Sequence, residues 1–234
     1  MLVKDWMSRN VVTIEQDGSM DEAIRLMKEK SVRKLPVMKR GKLVGIVTDR
    51  DVKRASASDA TTLDVHELLY LIARIKVKNI MTREPVSVLP DWTVEETAEL
   101  MLKKKISGVP VVDSKGMLVG IITESDIFRV LLSLTGIGKG GVQFAFRLED
   151  RPGSIKEVAD IIRAHGGRMA SILSSYDRAP EGWRSVYIRS FGIERKLMPQ
   201  LIESLRAAAP LLHMVDHREN RRQIFEEEGP DVNV

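Results

Sequence analysis

Two hydroxyl–carboxylate pairs stand out by their spacing. Thr48 precedes Asp51 by three residues and Thr123 precedes Asp126 by three. Each pair closes an apolar run, Leu43 to Thr48 or Leu118 to Thr123, and opens a polar one. Where a strand hands over to a helix in this way, the first helical amides lack partners and the dipole's positive end points outward, which suits an anion. The same spacing also fits a capping box with aspartate at its third position, in which both residues simply start the helix. Other chemistry is poorly represented. The sequence contains no cysteine, so disulfides, thiolate metal sites and a cysteine nucleophile are excluded. His213 and His217 are the closest histidines, but four apart across a predicted strand end is poor ligand geometry and no third ligand is evident. No serine sits in a nucleophile elbow and no carboxylate pair has a defined frame, so the expectation is a non-catalytic protein.

The elements that must position these pairs are written twice. Met81 minus Met7, Met101 minus Met27 and Pro110 minus Pro36 all give 74, and the register slips to 75 between Gly41 and Gly116. The extra residue falls in a predicted hairpin turn, where an insertion costs little. In each copy Ser19 or Thr93 precedes Glu22 or Glu96 by three residues, a helix-start signature. Met20, Ala23, Ile24 and Met27 recur as Val94, Thr97, Ala98 and Met101, the stripe of a helix that buries one face. Lys34 to Met38 and Gly108 to Val112 read as short strands, and the prolines inside them predict edge positions. Strand, helix, strand, strand, helix is the predicted order per copy.

The words LPVMKRGKLVGIVTDRDV and VPVVDSKGMLVGIITESDI resemble CBS domains, which occur in tandem and form a pseudo-two-fold module with clefts between the copies. The resemblance extends over residues 1 to about 134. It implies binding of adenosine-containing ligands: AMP, ADP, ATP or S-adenosylmethionine. In that family the aspartate of the motif accepts from both ribose hydroxyls and the threonine contacts phosphate, roles that would fall to Asp51 with Thr48 and to Asp126 with Thr123. Arg33 and Lys34 stand where related modules hold phosphate-binding residues, with Arg50 as a further donor. The second copy has Ser107, Gly108 and Ser125 there, so two unequal sites are expected. Val12, Thr13 and Pro36, and Val86, Ser87 and Pro110, would line the base pockets. Arg33, Lys34 and Arg50 fit a solvated surface equally well.

Between the copies, Val65, Leu68, Leu69 and Ile72 predict a helix from about Asp64 to Ile75. Residues 136 to 141, GIGKGG, read as a flexible linker, since they follow a helical run and lack a phosphate-loop lysine signature. Beyond them, Val142, Phe144, Phe146 and Leu148 alternate as a strand, and a helix carrying Ile155, Val158, Ala159 and Ile162 follows the DRPGS turn. Met169 to Tyr176 and Trp183 to Phe191 predict a hairpin, then a helix through Met198, Leu201, Ile202 and Leu205, and a last strand from Leu211 to Val215. This βαββαβ order predicts a ferredoxin-like sandwich, and FRLEDRPGSIKEVADIIRAHGGRMASIL resembles an ACT domain. ACT domains pair with one another and bind amino acids near such a turn, here Asp150, Pro152, Gly153 and Ser154. The turn would be needed without any ligand, with proline presetting φ, glycine permitting the tight approach and serine capping the helix.

The expected organisation is therefore α/β and α+β: one CBS unit over 1–60, a connecting helix over 61–76, a second CBS unit over 77–135, the linker, an ACT domain over 142–217, and a charged tail over 218–234 that frays as a solvated helix. Tandem CBS followed by ACT resembles the acetoin-utilization-type regulatory proteins of bacteria and implies a homodimeric sensor. A regulatory subunit docking on an enzyme or transporter, and a DNA-binding regulator, are the other classes. The net charge of +4 on 234 residues, 30% of them charged, is weak support for nucleic acid. Met1 leads directly into the first repeat and no apolar run approaches the length of a membrane span, so a cytoplasmic protein without cofactor or metal is expected.

Overall fold

The computed structural model describes residues 1–58 and 74–225 and divides into two compact units, Met1–Phe128 and Arg129–Val234. Most of the helix expected between the copies lies outside the described residues.

In the first unit the chain runs β1 (Ile14–Glu15), α1 (Met20–Glu29), β2 (Lys34–Lys39), β3 (Lys42–Thr48) and α2 (Asp49–Ser58), then α3 (Val77–Ile80), β4 (Thr82–Arg83), α4 (Val94–Lys104), β5 (Gly108–Val112), β6 (Leu118–Thr123) and the start of α5 (Glu124–Leu134). One sheet has the order β1-β2-β3-β4, and β5 pairs with β6. The single bridges Val88↔Val111 and Ser8↔Ile121 repeat, in the second copy, the pairings Ile14↔Val37 and Thr82↔Ile46 of the first.

Those pairings show that the leading segments are exchanged. The chain start is seated on the second copy, with Val3 donating to the Trp92 carbonyl at 2.9 Å, Lys4 to that of Pro90 at 2.9 Å, and Val94 to that of Met1 at 2.8 Å. The second copy's lead is seated on the first: Met20 donates to the Ile75 carbonyl at 2.8 Å, Val77 to that of Gly18 at 2.9 Å, and Lys78 to that of Gln16 at 3.0 Å. Val77 accordingly lies in the same core as Ile14, Met20, Ala23, Met27, Leu35, Val37, Val47 and Val52. The thioether of Met7 lies where a Cβ on Gly120 would stand, and that of Met81 where one on Gly45 would.

The helix starts differ in detail. Thr93 and Glu96 make the full reciprocal box of α4, whereas at α1 Ser19 accepts from the Glu22 amide at 3.1 Å as the side-chain cap. The expectation that the proline strands lie at sheet edges holds for β5, one of the two strands of its sheet, and is corrected for β2. β2 is internal, between β1 and β3. β1 meets it only at Val37 and Met38, beyond the proline, and in the second copy Pro110 joins its neighbour through its carbonyl, which accepts from Val88 at 3.1 Å. No donor is asked of either ring nitrogen, so the usual objection to an internal proline lapses.

The second unit holds β7 (Val142–Glu149), α6 (Ser154–Ala164), β8 (Arg168–Ser175), β9 (Trp183–Phe191), α7 (Met198–Ala208), β10 (Leu211–Asp216) and β11 (Arg221–Ile224), in an antiparallel sheet of order β11-β10-β7-β9-β8. Phe144, Phe146, Val186, Ile188 and Met214 of the strands cluster with Ile162, Leu201 and Leu205 of the helices. The tail expected as a helix instead reverses at Asp216, whose Oδ1 accepts from the amides of Arg218 at 2.9 Å and Glu219 at 3.3 Å, and returns as β11. Residues 226–234 lie outside the described ones. The glycine run read as a loose linker is a defined turn: Ile137–Lys139 form one 3₁₀ turn, and Gly141, at φ 82°, lies against the Ser190 carbonyl where no side chain fits. Just before it, the Thr135 carbonyl accepts from Arg189 Nε and Ser171 Oγ, both at 2.8 Å.

Candidate functional site

β3 delivers Thr48 to the start of α2, and β6 delivers Thr123 to the start of α5. Asp51 Oδ2 accepts from the Thr48 amide at 2.9 Å and hydroxyl at 2.7 Å, and Asp126 Oδ2 accepts from the Thr123 amide at 2.8 Å and hydroxyl at 2.7 Å. The helix-starting role is thus filled in both copies. Both carboxylates are nonetheless deeply placed, Asp51 8% and Asp126 3% exposed, although a carboxylate that only capped a surface helix would gain from hydration. The outer oxygen of Asp51 accepts from Arg54 Nη2 at 2.5 Å. The strand before each junction closes the turn: the Arg33 carbonyl accepts from the Asp49 amide at 3.0 Å, and the Ser107 carbonyl from that of Glu124 at 3.2 Å.

The other expected site residues fall as follows. Lys34 lies opposite Thr48 and Gly108 opposite Thr123, at equivalent register. The side chains of Arg33, Arg50, Ser107 and Ser125 are exposed, Val12, Thr13 and Ser87 are half-buried, Val86 is exposed, and Pro36 and Pro110 are buried. One contact was not legible in the sequence: Lys34 Nζ donates to Ser107 Oγ at 2.7 Å, joining residues 73 apart. The ammonium is half-buried, and desolvation draws its pKa below that of an ordinary lysine, while the Glu124 and Asp49 carboxylates act the other way.

In the second unit Ser154 is not the cap that the turn suggested. Gly153, in the left-handed region at φ 91°, precedes the helix, and the Ser154 hydroxyl donates to the Arg151 carbonyl at 3.1 Å and accepts from Arg184 Nη2 at 3.1 Å. Asp150 lies 3.6 Å from Arg184 Nη1. Around this turn opens a cavity of about 590 Å³ lined by Asp150, Pro152 and Gly153 together with Arg151, Lys156 and Arg184. Arg184 was missed because it looks like an ordinary charge, yet it alternates with Val186 and Ile188 on the helix-facing side of β9. The described residues contain no cluster of three metal-ligating side chains, and no helix among them is long and apolar enough to cross a membrane.

A duplicated αβ unit with exchanged leads and paired strand-to-helix junctions defines a tandem module of two pseudo-equivalent copies. The CBS domain model matches residues 3–58 and 77–133. A CBS domain-containing protein of Dictyostelium discoideum is 36% identical over 135 residues, 57% of this chain and 93% of the relative. The chain belongs to the CBS domain family. A crystal structure of a Vibrio cholerae protein, provisionally described as an acetoin utilization protein, is 30% identical, covers 59% of this chain and 96% of its own, and superposes with a TM-score of 0.50. A CBS domain pair crystallised with 5′-methylthioadenosine and S-adenosyl-L-methionine is 34% identical over 56% of this chain and 95% of its own, with a TM-score of 0.49.

Proposed function

We propose that this protein is a non-catalytic regulator that senses an adenine nucleotide or related adenosyl ligand through its CBS pair. The observation that carries the reading is the duplicated Thr-x-x-Asp junction, with both carboxylates buried beside a helix start. Family membership supports it, because CBS pairs are regulatory modules. In this reading Asp51 and Asp126 take the ribose hydroxyls and the helix-start amides with Thr48 and Thr123 face the phosphate. The remaining expected site residues, from Arg33, Lys34 and Arg50 to the pocket valines and prolines, frame the ligand.

The second unit, in this reading, is an ACT-type ferredoxin-like module that pairs two chains. Its βαββαβ order, with the fourth, first, third and second strands side by side, supports that assignment, and β8 leaves an open strand edge that a second copy could cover. The cavity lined by Asp150, Pro152 and Gly153, with the Asp150 carboxylate and the Arg151, Lys156 and Arg184 cations on its wall, suits a second ligand carrying both charges, as an amino acid does.

Thermal shift with AMP, ADP, ATP and S-adenosylmethionine, extended by free amino acids, tests the reading. A ligand at 100 times its dissociation constant stabilises the fold by about 2.7 kcal/mol. Asp51→Ala combined with Asp126→Ala should abolish the nucleotide shift. A panel that moves nothing, or a double variant that still binds, rejects the ribose assignment.

A further inference from the structure

The two junctions are symmetric, but the charge between them is not. Lys34 and Gly108 occupy equivalent positions, opposite Thr48 and Thr123. The Lys34 side chain leaves its own strand and crosses to the second copy, where its Nζ bonds Ser107 Oγ at 2.7 Å. It lies 2.8 Å from the place a Cβ on Gly108 would take, a place that is itself 3.1 Å from Thr123 Cγ2. The absent side chain at position 108 is therefore what admits the ammonium. A lysine at 108 would point back by the same symmetry and meet it, and two ammonium groups so close would repel. Glu124 and Asp49, the first residues of α5 and α2, both act on Lys34, one from each junction.

From this geometry we infer that Lys34 is one phosphate contact shared by two clefts, so that a phosphorylated ligand in either cleft disfavours a second in the other. The inference rests on the adenosyl-ligand reading and adds a coupling rule to it. Arg33 and Arg50, in the first copy, have Ser107 and Ser125 as counterparts, so no second cation replaces Lys34 at those positions of the second copy. Once a 5′-phosphate in the first cleft has drawn the ammonium, the second cleft is left to ligands whose 5′ substituent carries no negative charge.

Calorimetry on the full-length protein, with AMP and with 5′-methylthioadenosine as probes, tests this. In the wild type AMP should bind in two steps at least tenfold apart, because one charge-assisted contact is worth about that factor. 5′-Methylthioadenosine should still enter the AMP-loaded protein. Lys34→Met, which keeps the stem and removes the charge, should weaken the tight AMP step about tenfold and weaken 5′-methylthioadenosine much less. Two AMP molecules bound with equal affinity, or a Lys34→Met variant whose AMP and 5′-methylthioadenosine affinities change in step, overturns the shared-contact inference while leaving the sites standing. Binding of neither probe to the wild type removes the site reading and this inference with it.

Discussion

Gly120 and Gly45 each face a methionine that comes from the other copy, and this makes the exchange of leading segments testable at single residues. Gly120→Ala would press a methyl group into the Met7 thioether. Overpacking costs about 1–3 kcal/mol, more than the ~0.4–1 kcal/mol that an alanine gains by restricting the unfolded chain, so the variant should be less stable by about 1–2 kcal/mol. In a Met7→Ala background that penalty should vanish. Chemical denaturation of the four members of this cycle measures the coupling between residues 113 apart in sequence, and additive effects would contradict the contact. The Thr-x-x-Asp pairs were legible in the sequence because their chemistry is local, three residues within one helix start. Lys34 with Ser107 was not: side-chain partners distant in sequence depend on how two folded copies meet, and the sequence assigns the two residues to separate sites.

At the scale of elements, periodicity located the strands and helices because each buries one face, but it does not name the neighbour. The repeat of 74 residues looks the same whether a leading segment packs on its own copy or on the other. Pro36 was read by a rule about missing donors, which fails where the adjoining strand is two residues long. The tail misled because its hairpin is turned by an aspartate cap and by Asn220 at φ 51° rather than by glycine. That hairpin sets β10 between β11 and β7, with His213 opposite Ile224 and Ala145 and its ring 6.4 Å from that of Tyr187. Burial lowers the His213 pKa from its ordinary 6.5. The folded state then binds the proton less readily than the unfolded one, so the stabilising contribution is complete above about pH 6.5 and is lost as pH falls below it. Melting temperature should drop between pH 7.5 and 5.5, and His213→Leu should reduce the drop. Equal pH dependence in wild type and variant would show that this histidine does not carry the effect.

For the whole molecule, the question is whether a ligand at the CBS junctions is felt beyond residue 134. α5 begins beside Thr123 and Asp126, and the chain leaving it is held at Thr135 by Arg189 and Ser171 of the second unit's sheet. The boundary between compact units falls inside this helix, after Phe128. A helix transmits what happens at its first turn only if the ligand prefers one of two arrangements, since equal affinity for both shifts neither. Arg189 is 3% exposed, and desolvation lowers its pKa, so its bond to Thr135 is made away from water, where breaking it is expensive. Coupling therefore predicts that AMP changes amide exchange in β8 and β9 as well as at the junctions, and that Arg189→Leu abolishes the distal change while the junctions still respond. Light scattering at micromolar concentration should find a dimer in both states. Protection changes confined to residues 1–134 would leave the second unit as a passive pairing module, and a monomer at that concentration would rule out pairing as part of the mechanism.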